Sequence, residues 1–246
     1  MQKPENQSEK VPSLHLLSSG GSQPGPFYDI EFLRGYHSGI GRAPAVVGLY
    51  YSSGTDMATL RDRIIAAGSE GASHVVVFNS PLRATTSPEL ILEFAWERSK
   101  VGNDKILIVD CNLRTPVLNR IYNMAPGVGV AEYLAGTHTL PEVLKRTNLQ
   151  NVFLIRSGCL KLDPLHLLTS PALPELVTIV EQEFDFILIN TPPYRDYVDA
   201  FVLARYLQPL FVLSVDGRTS TWTETEAMRE ELARYHVKIL GLVNHM

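Results

Sequence analysis

Long apolar runs rich in β-branched residues recur along the chain, and segments with helical spacing lie between them. The runs are continuous rather than alternating, which is typical of strands covered by other elements on both faces. The predicted strands are 74–78, 105–110, 184–190 and 209–215, with weaker ones at 45–50, 151–156 and 238–244. The predicted helices are 57–68, 87–102 and 223–236. Strands that alternate with helices predict an α/β fold with a doubly wound, mostly parallel sheet.

The beginning of the chain has a different composition from the rest. Residues 1–27 are rich in Pro, Ser, Gln and Gly and contain one short apolar patch, which predicts a mobile N-terminal tail. Residues 28–246 are predicted to form a single domain, because a chain of 246 residues suits one large α/β domain better than two small ones.

Charge and composition argue against several classes of function. A net charge of −4 gives no basic surface for nucleic acid. Two cysteines, Cys111 and Cys159, are too few for a disulfide framework; they predict a cytosolic protein with two buried thiols. The seven histidines show no metal-ligand spacing. No apolar run approaches the roughly 20 residues of a membrane span, so any membrane role is expected to come through a partner.

The loop between Ser80 and Glu89 occupies the position of a phosphate-binding P-loop. It follows a predicted strand and precedes a helix, yet it contains no glycine and no lysine. Its sequence instead predicts an ordinary helix start, with Ser87 as N-cap and Pro88 as the first helical residue. Glu89, in the first turn, would repel a phosphate that the helix N-terminus otherwise attracts.

Five segments in register carry a resemblance to a known family. They are ILIVDCNLRTP (106–116), GVGVAEYLAGTHTLPEVL (127–144), DPLHLLTSPALPELV (163–177), FDFILINTPP (184–193) and GLVNH (241–245). Together they resemble the cytoplasmic ATPase domain of bacterial tyrosine kinases, which belongs to the MinD/ParA-like deviant P-loop class. The resemblance implies a P-loop NTPase-like three-layer α/β/α fold. It also implies a partnership with the polysaccharide copolymerases of capsule and exopolysaccharide export.

The chain departs from this family at the positions that bind the nucleotide phosphates. Thr86, Ser87 and Pro88 stand where the family has Gly-Lys-Ser/Thr. The family's lysine contacts the β- and γ-phosphate oxygens, and the hydroxyl of the family's Ser/Thr binds magnesium. Proline supplies neither a hydroxyl nor an amide hydrogen. The resemblance therefore predicts a degenerate nucleotide pocket.

The acidic positions around magnesium are also reduced. The family's second Walker-motif carboxylate is Asn112 here, and its Walker B aspartate is Asn190, so that only Asp110 keeps a carboxylate. Hard cations prefer anionic oxygen ligands, and asparagine keeps the shape without the charge. We therefore expect no metal site and no bound cofactor, and catalysis by Asp110 alone is a weak candidate.

Three residues of the predicted pocket have two interpretations each. Asp110 is either a surviving catalytic base or a carboxylate that accepts hydrogen bonds from its own loop. Arg114 either binds a phosphate or a partner's carboxylate, or forms a structural ion pair. Asn244 either contacts adenine, as the family's asparagine does, or serves as a turn residue.

The leading hypothesis is a non-catalytic scaffold or regulator of exopolysaccharide synthesis, chain-length control and export. It would be cytoplasmic and docked at the inner-membrane face to a polysaccharide copolymerase or another export protein, with homo-oligomers possible. The alternative is an active ATP-dependent tyrosine kinase or ATPase that uses ATP and Mg²⁺ and draws a cation from Arg83 or a neighbouring subunit. A further alternative is a MinD/ParA-like localisation factor.

Overall fold

The computed structural model describes residues 49–51, 54–67, 74–80, 86–116, 118, 124–159, 161–216, 222–235 and 238–245. Its strands are β1 Leu49–Tyr51, β2 His74–Asn79, β3 Ile106–Asp110, β4 Leu144–Arg146, β5 Val152–Ile155, β6 Phe186–Asn190, β7 Leu210–Asp216 and β8 Lys238–His245. Its helices are α1 Gly54–Ala67, α2 Thr86–Val101, α3 Val130–Leu134, α4 Leu140–Val143, α5 Pro164–Leu168, α6 Ala172–Val180, α7 Asp199–Leu207 and α8 Trp222–Ala233.

The described strands form one sheet in the order β1-β8-β7-β2-β6-β3-β5-β4. Every neighbouring pair is parallel except β4 and β5, which pair antiparallel. The central strands β2, β3 and β6 are buried along most or all of their length, as their continuous apolar sequences predict. The mostly parallel α/β sheet expected from the sequence is therefore confirmed.

Two apolar cores lie on opposite faces of the sheet. On one face, alternate strand residues such as Ile108 and Leu188 pack with Leu60 of α1 and Phe94 of α2. On the other face, the intervening strand residues pack with α3, α5, α6, α7 and α8 in a second buried cluster. Phe94 meets Phe186 edge to face at a centroid distance of 5.7 Å. Helices on both faces give the three-layer α/β/α arrangement.

Several local predictions differ from the structure. Helix α2 begins at Thr86, so the predicted N-cap Ser87 is wrong and Pro88 is the third helical residue. Proline is tolerated there because the first four N–H groups of a helix have no partner within the helix. Helix α8 ends at Ala233, two residues before Tyr235, which the apolar spacing had included.

The division of the chain at residue 28 remains a prediction, because the structure describes no residue before Leu49. The predicted strand at 45–50 corresponds to the short β1 in the described part of the chain. Among the described helices, none combines the length and the apolar character needed to cross a bilayer.

Candidate functional site at the carboxyl ends of the central strands

The ends of β3 and β6 bring Asp110 next to Asn190. The two strands are parallel neighbours, and these two residues are partners in the register. Because Ile108 and Leu188 point towards α2, the side chains of Asp110 and Asn190, two residues further on, point to the same face. Both residues are fully buried. Asn190 Nδ2 donates a 2.8 Å hydrogen bond to Asp110 Oδ1.

Burial dominates the electrostatics of Asp110. It raises the pKa of the carboxyl to about 7, although hydrogen bonds from the Asn190 side chain and the Asn112 backbone N–H act to lower it. Among the described residues, the carboxylate oxygen Oδ2 has no hydrogen-bond partner, and neither does Asn190 Oδ1. Burial therefore favours the neutral, protonated form of Asp110 over the charged form. The structure supports the interpretation in which its Oδ1 accepts hydrogen bonds from nearby groups of the chain.

Asn112 uses its side chain to shape the loop after β3. Its Oδ1 accepts hydrogen bonds from the Thr115 backbone N–H at 3.0 Å and from Thr115 Oγ1 at 3.4 Å. Its own backbone N–H donates to Asp110 Oδ1 at 3.2 Å. Asn112 is buried. The amide oxygen that stands in the place of a carboxylate is thus engaged within its own turn.

Arg114 forms an ion pair within the chain, which is the contact that its structural interpretation predicts. Its Nε lies 3.1 Å from Asp199 Oδ2, and Asp199 is completely buried at the first position of α7. The guanidinium carbon lies 4.3 Å from the ring centroid of Tyr197. Burial raises the pKa of Asp199, and Arg114 opposes that rise. Asp199 was not predicted as a site residue. The available signal was an acid in the first turn of the helix that follows the loop beginning Thr191-Pro192-Pro193, here called the TPP loop.

Buried hydrogen bonds, which the sequence did not predict, join the end of β2 to the loop after β6. Asn79 Nδ2 donates to Thr191 Oγ1 at 2.6 Å and to the Pro192 carbonyl at 2.8 Å. Thr191 Oγ1 in turn donates to the Phe78 carbonyl at 3.0 Å. These bonds hold the start of the TPP loop against the end of β2. The available sequence signal was a polar residue, Asn79 or Thr191, directly after each of the predicted strands 74–78 and 184–190.

The remaining pocket positions are described in part. Pro88 is buried, and Glu89 is exposed in the first turn of α2. The side chains of Thr86 and Ser87, and the loop at 81–85 with Arg83, lie outside the described residues. Asn244 lies in β8 between Val215 and Tyr51, but its side chain, and with it the predicted adenine contact, is outside the described part.

In the part of the chain that the structure describes, no three His, Cys, Asp or Glu side chains converge as possible metal ligands. Cys111 is buried, as expected, but the prediction for Cys159 is wrong because its side chain is exposed. Cys159 lies on a surface turn directly after Gly158, where its Sγ donates to the Gly127 carbonyl at 3.4 Å.

Comparison with known proteins connects this geometry to a family. No protein-family model matches the chain. Tyrosine-protein kinase CpsD of Streptococcus pneumoniae serotype 4 is 26% identical over 162 residues, which cover 65% of this chain and 69% of CpsD. The chain is a homologue of bacterial tyrosine-protein kinases. The resemblance inferred from the five sequence segments is thereby confirmed.

Solved structures agree on the fold of this kinase homologue. The kinase domain of Escherichia coli tyrosine kinase ETK has a TM-score of 0.72 and 20% identity, and the match covers 78% of this chain and 74% of that one. The septum site-determining protein MinD of Pyrococcus horikoshii, solved in complex with Mg-ADP, has a TM-score of 0.58 and 21% identity, with 69% of each chain covered. The fold is therefore the P-loop NTPase-like α/β/α fold.

Proposed function

We propose that this kinase homologue does not turn over ATP and acts as a scaffold or regulator in exopolysaccharide synthesis and export. The observation that carries the proposal is the burial of Asp110 against the side chain of Asn190. Asp110 is the last carboxylate of the predicted magnesium site, it is fully buried, and its Oδ1 accepts a hydrogen bond from Asn190. Asn190 engages one carboxylate oxygen of Asp110 with an N–H donor, and neither Asn112 nor Asn190 adds negative charge, so the site offers Mg²⁺ one anionic ligand where a hard cation prefers several.

The other described residues of the pocket also fit Mg-ATP badly. Phosphoryl transfer depends almost entirely on positioned positive charges and metal ions around the phosphates. At the start of α2 this chain has a buried proline and an acidic first-turn residue, Pro88 and Glu89. The amide oxygen of Asn112 is engaged by Thr115. Among the described residues of the predicted pocket, the cation Arg114 is paired with Asp199, and the two positions that carry acids in the family are Asn112 and Asn190, so we derive no step through ATP or Mg²⁺.

The pathway and the partner rest on the resemblance alone. The family's ATPase domains work with membrane polysaccharide copolymerases, and we propose the same kind of partner for this chain. The protein would then be held at the cytoplasmic face of the inner membrane through that partner. A fold shared with enzymes does not by itself transmit their activity, so a docking function is compatible with this architecture.

The competing function is an active tyrosine kinase or ATPase, which the names of the relatives favour. In that case Asp110 would be the magnesium ligand or base, and a lysine or arginine from a neighbouring subunit would complete the site. The two functions make opposite predictions for nucleotide binding.

Isothermal titration calorimetry of the full chain with ATP and Mg²⁺ separates them. We expect no heat of binding beyond dilution for the wild type, with Mg-ADP and Mg-GTP giving the same result. Micromolar binding of Mg-ATP that disappears in Asp110→Ala, but persists in the exposed control Asp62→Ala, would overturn the proposal in favour of the enzyme. A nucleotide-dependent shift in size on gel filtration would favour a MinD-like localisation factor instead.

A further inference from the structure

The guanidinium of Arg114 is held in one orientation by groups of its own chain. Its Nε donates to both carboxylate oxygens of Asp199, at 3.3 and 3.1 Å, and Asp199 has no exposed side-chain surface. The face of the guanidinium lies over the ring of Tyr197. An arginine side chain ordinarily loses much of its rotamer freedom when it is fixed. Here folding has already fixed this side chain.

The two terminal nitrogens of this guanidinium are available to a ligand. The Asp199 contact uses Nε only, and among the described residues no acceptor lies within hydrogen-bonding distance of Nη1 or Nη2. The side chain keeps 20% of its surface exposed. Nη1 and Nη2 form the planar pair of donors that matches two oxygens of one carboxylate.

The surroundings favour a singly charged ligand with apolar neighbours. Asp163 lies near enough to Asp199 for their carboxylates to repel each other, so the local potential opposes a multiply charged phosphate more than a carboxylate. Next to Tyr197, Val198 has an exposure of 52% in the turn before α7. A carboxylate that reached Arg114 from solvent would therefore bring its neighbouring side chains onto an apolar surface.

We propose that Nη1 and Nη2 of Arg114 bind a carboxylate on an apolar segment of a partner protein, with Tyr197 and Val198 as the adjoining contact surface. The inference rests on the proposed function in assuming a protein partner, and it names the chemistry of that partner: an aspartate or glutamate flanked by aliphatic or aromatic residues. Asp199 is a positioning residue in this site, because it acts through Arg114.

Binding of defined peptides, followed by NMR on the ¹⁵N-labelled full chain, tests the proposal. The probe is a short acetylated and amidated peptide with one glutamate between two leucines in a Gly-Ser background. The matched peptide carries glutamine in place of glutamate. The Nε–Hε signal of Arg114 reports contact at the proposed site in the wild type, and the backbone amide signals of Tyr197 and Val198 report it in every variant. We expect the glutamate peptide to shift these signals in the millimolar range and the glutamine peptide to bind at least about tenfold more weakly.

Two variants identify the residue that binds. Arg114→Lys keeps the positive charge but loses the planar pair of donors, so it should weaken the glutamate peptide about tenfold. Arg205→Lys, at an exposed arginine in the last turn of α7, should leave the affinity unchanged. Circular dichroism of both variants checks that the fold is retained.

Several outcomes would overturn the inference. They are no shift of the Arg114 signal up to millimolar peptide, equal affinity for both peptides, equal affinity of the Arg114→Lys variant, or tighter binding of inorganic phosphate than of the peptide. The calorimetric test of the proposed function is separate. Mg-ATP binding would refute the scaffold function and leave the peptide result standing, whereas failure of the peptide would leave the nucleotide result standing.

Discussion

Asn190 donates its Nδ2 hydrogen to Oδ1 of Asp110 across 2.8 Å, at the buried ends of two adjacent parallel strands. The two remaining oxygens of this pair, Asp110 Oδ2 and Asn190 Oδ1, are buried acceptors without a donor. One proton on Oδ2 would supply the missing donor, which is consistent with the pKa of about 7. A proton on Oδ2 would neutralise this carboxyl group without a cation.

Replacing Asp110 by asparagine should make the protein less sensitive to pH. A carboxyl whose pKa is higher in the folded than in the unfolded state makes stability fall as the pH rises between the two values, here from 3.8 to about 7, and has a constant effect above them. The cost of ionising Asp110 is at most about 4 kcal/mol, at about 1.4 kcal/mol per pKa unit. We expect Asp110→Asn to raise the free energy of unfolding above pH 7 by about 1–3 kcal/mol. Urea unfolding across this pH range measures the change.

The control for this experiment is Asp62→Asn, because Asp62 is exposed and its change should alter stability by less than about 0.5 kcal/mol at any pH. A wild-type protein whose stability rises from pH 5 to 7, or an Asp110→Asn variant that is less stable than the wild type in alkaline solution, would contradict the assignment of a raised pKa.

Replacing Asn190 by aspartate should create a cation site and lower the free energy of unfolding. Asn190→Asp places a second acid directly against Asp110 in a fully buried position, where two like charges repel. We expect the variant to lose about 3 kcal/mol near neutral pH and less in acid. Millimolar Mg²⁺ should recover part of the loss, since two adjacent carboxylates attract a hard cation.

Thermal unfolding with MgCl₂ and with KCl of equal ionic strength distinguishes binding from screening. The wild-type Tm should respond equally to both salts, whereas the variant should be raised by MgCl₂ specifically. If Mg²⁺ also stabilised the wild type specifically, the native pocket would still be a metal site and the proposed loss of function would be wrong.

The sequence predicted the central architecture because its strands are long, continuous apolar runs. The runs at 74–78 and 184–190 correspond to β2 and β6, and both are buried as expected. The antiparallel β4 was missed because its three residues, Leu-Lys-Arg, carry no apolar period. Helices α3, α4 and α5 have four or five residues each, which is too short for a 3.6-residue repeat to be recognised.

The candidate site was predicted only where position along a strand was sufficient. Asp110 and Asn190 were identified because ligands bind at the carboxyl ends of parallel strands, and the structure does bring them together. The partners Asp199 and Thr191 were not identified, because neither is the last residue of a predicted strand and each is paired with a residue that is distant in the sequence. Pairings over such separations depend on strand order, which periodicity does not reveal.

Removing the Arg114 side chain should destabilise the fold through Asp199. Arg114→Ala leaves a buried carboxyl without its cation, which costs about 3 kcal/mol for a pair of this kind. Because Arg114 acts to lower the pKa of Asp199, its loss should raise that pKa further, and the destabilisation should therefore shrink as the pH falls. Urea unfolding at acidic and neutral pH measures both effects.

The double variant Arg114→Ala/Asp199→Asn is the decisive comparison for this pair. It removes the charge that the single variant leaves unpaired, so it should recover about half of the lost stability at neutral pH. Arg205→Ala, at an exposed arginine of α7, should cost less than about 0.5 kcal/mol. A double variant no more stable than the single one would show that packing, and not the ion pair, accounts for the loss.

Gly129 and Gly136 both lie in segment 127–144, which resembles the kinases, but they require glycine for different reasons. At Gly129 a Cβ would lie 2.1 Å from the Arg156 carbonyl oxygen and 2.5 Å from the Gly158 nitrogen, both of them backbone atoms, because the chain before α3 pairs closely with the chain after β5. Gly136 has a φ of +71° and no atom within 4 Å of a Cβ.

We therefore expect Gly129→Ala to lose about 3 kcal/mol or more through forced backbone displacement. Gly136→Ala should lose only about 1 kcal/mol through its left-handed conformation. Urea unfolding of both variants measures the difference, and equal losses would contradict the close backbone approach at Gly129.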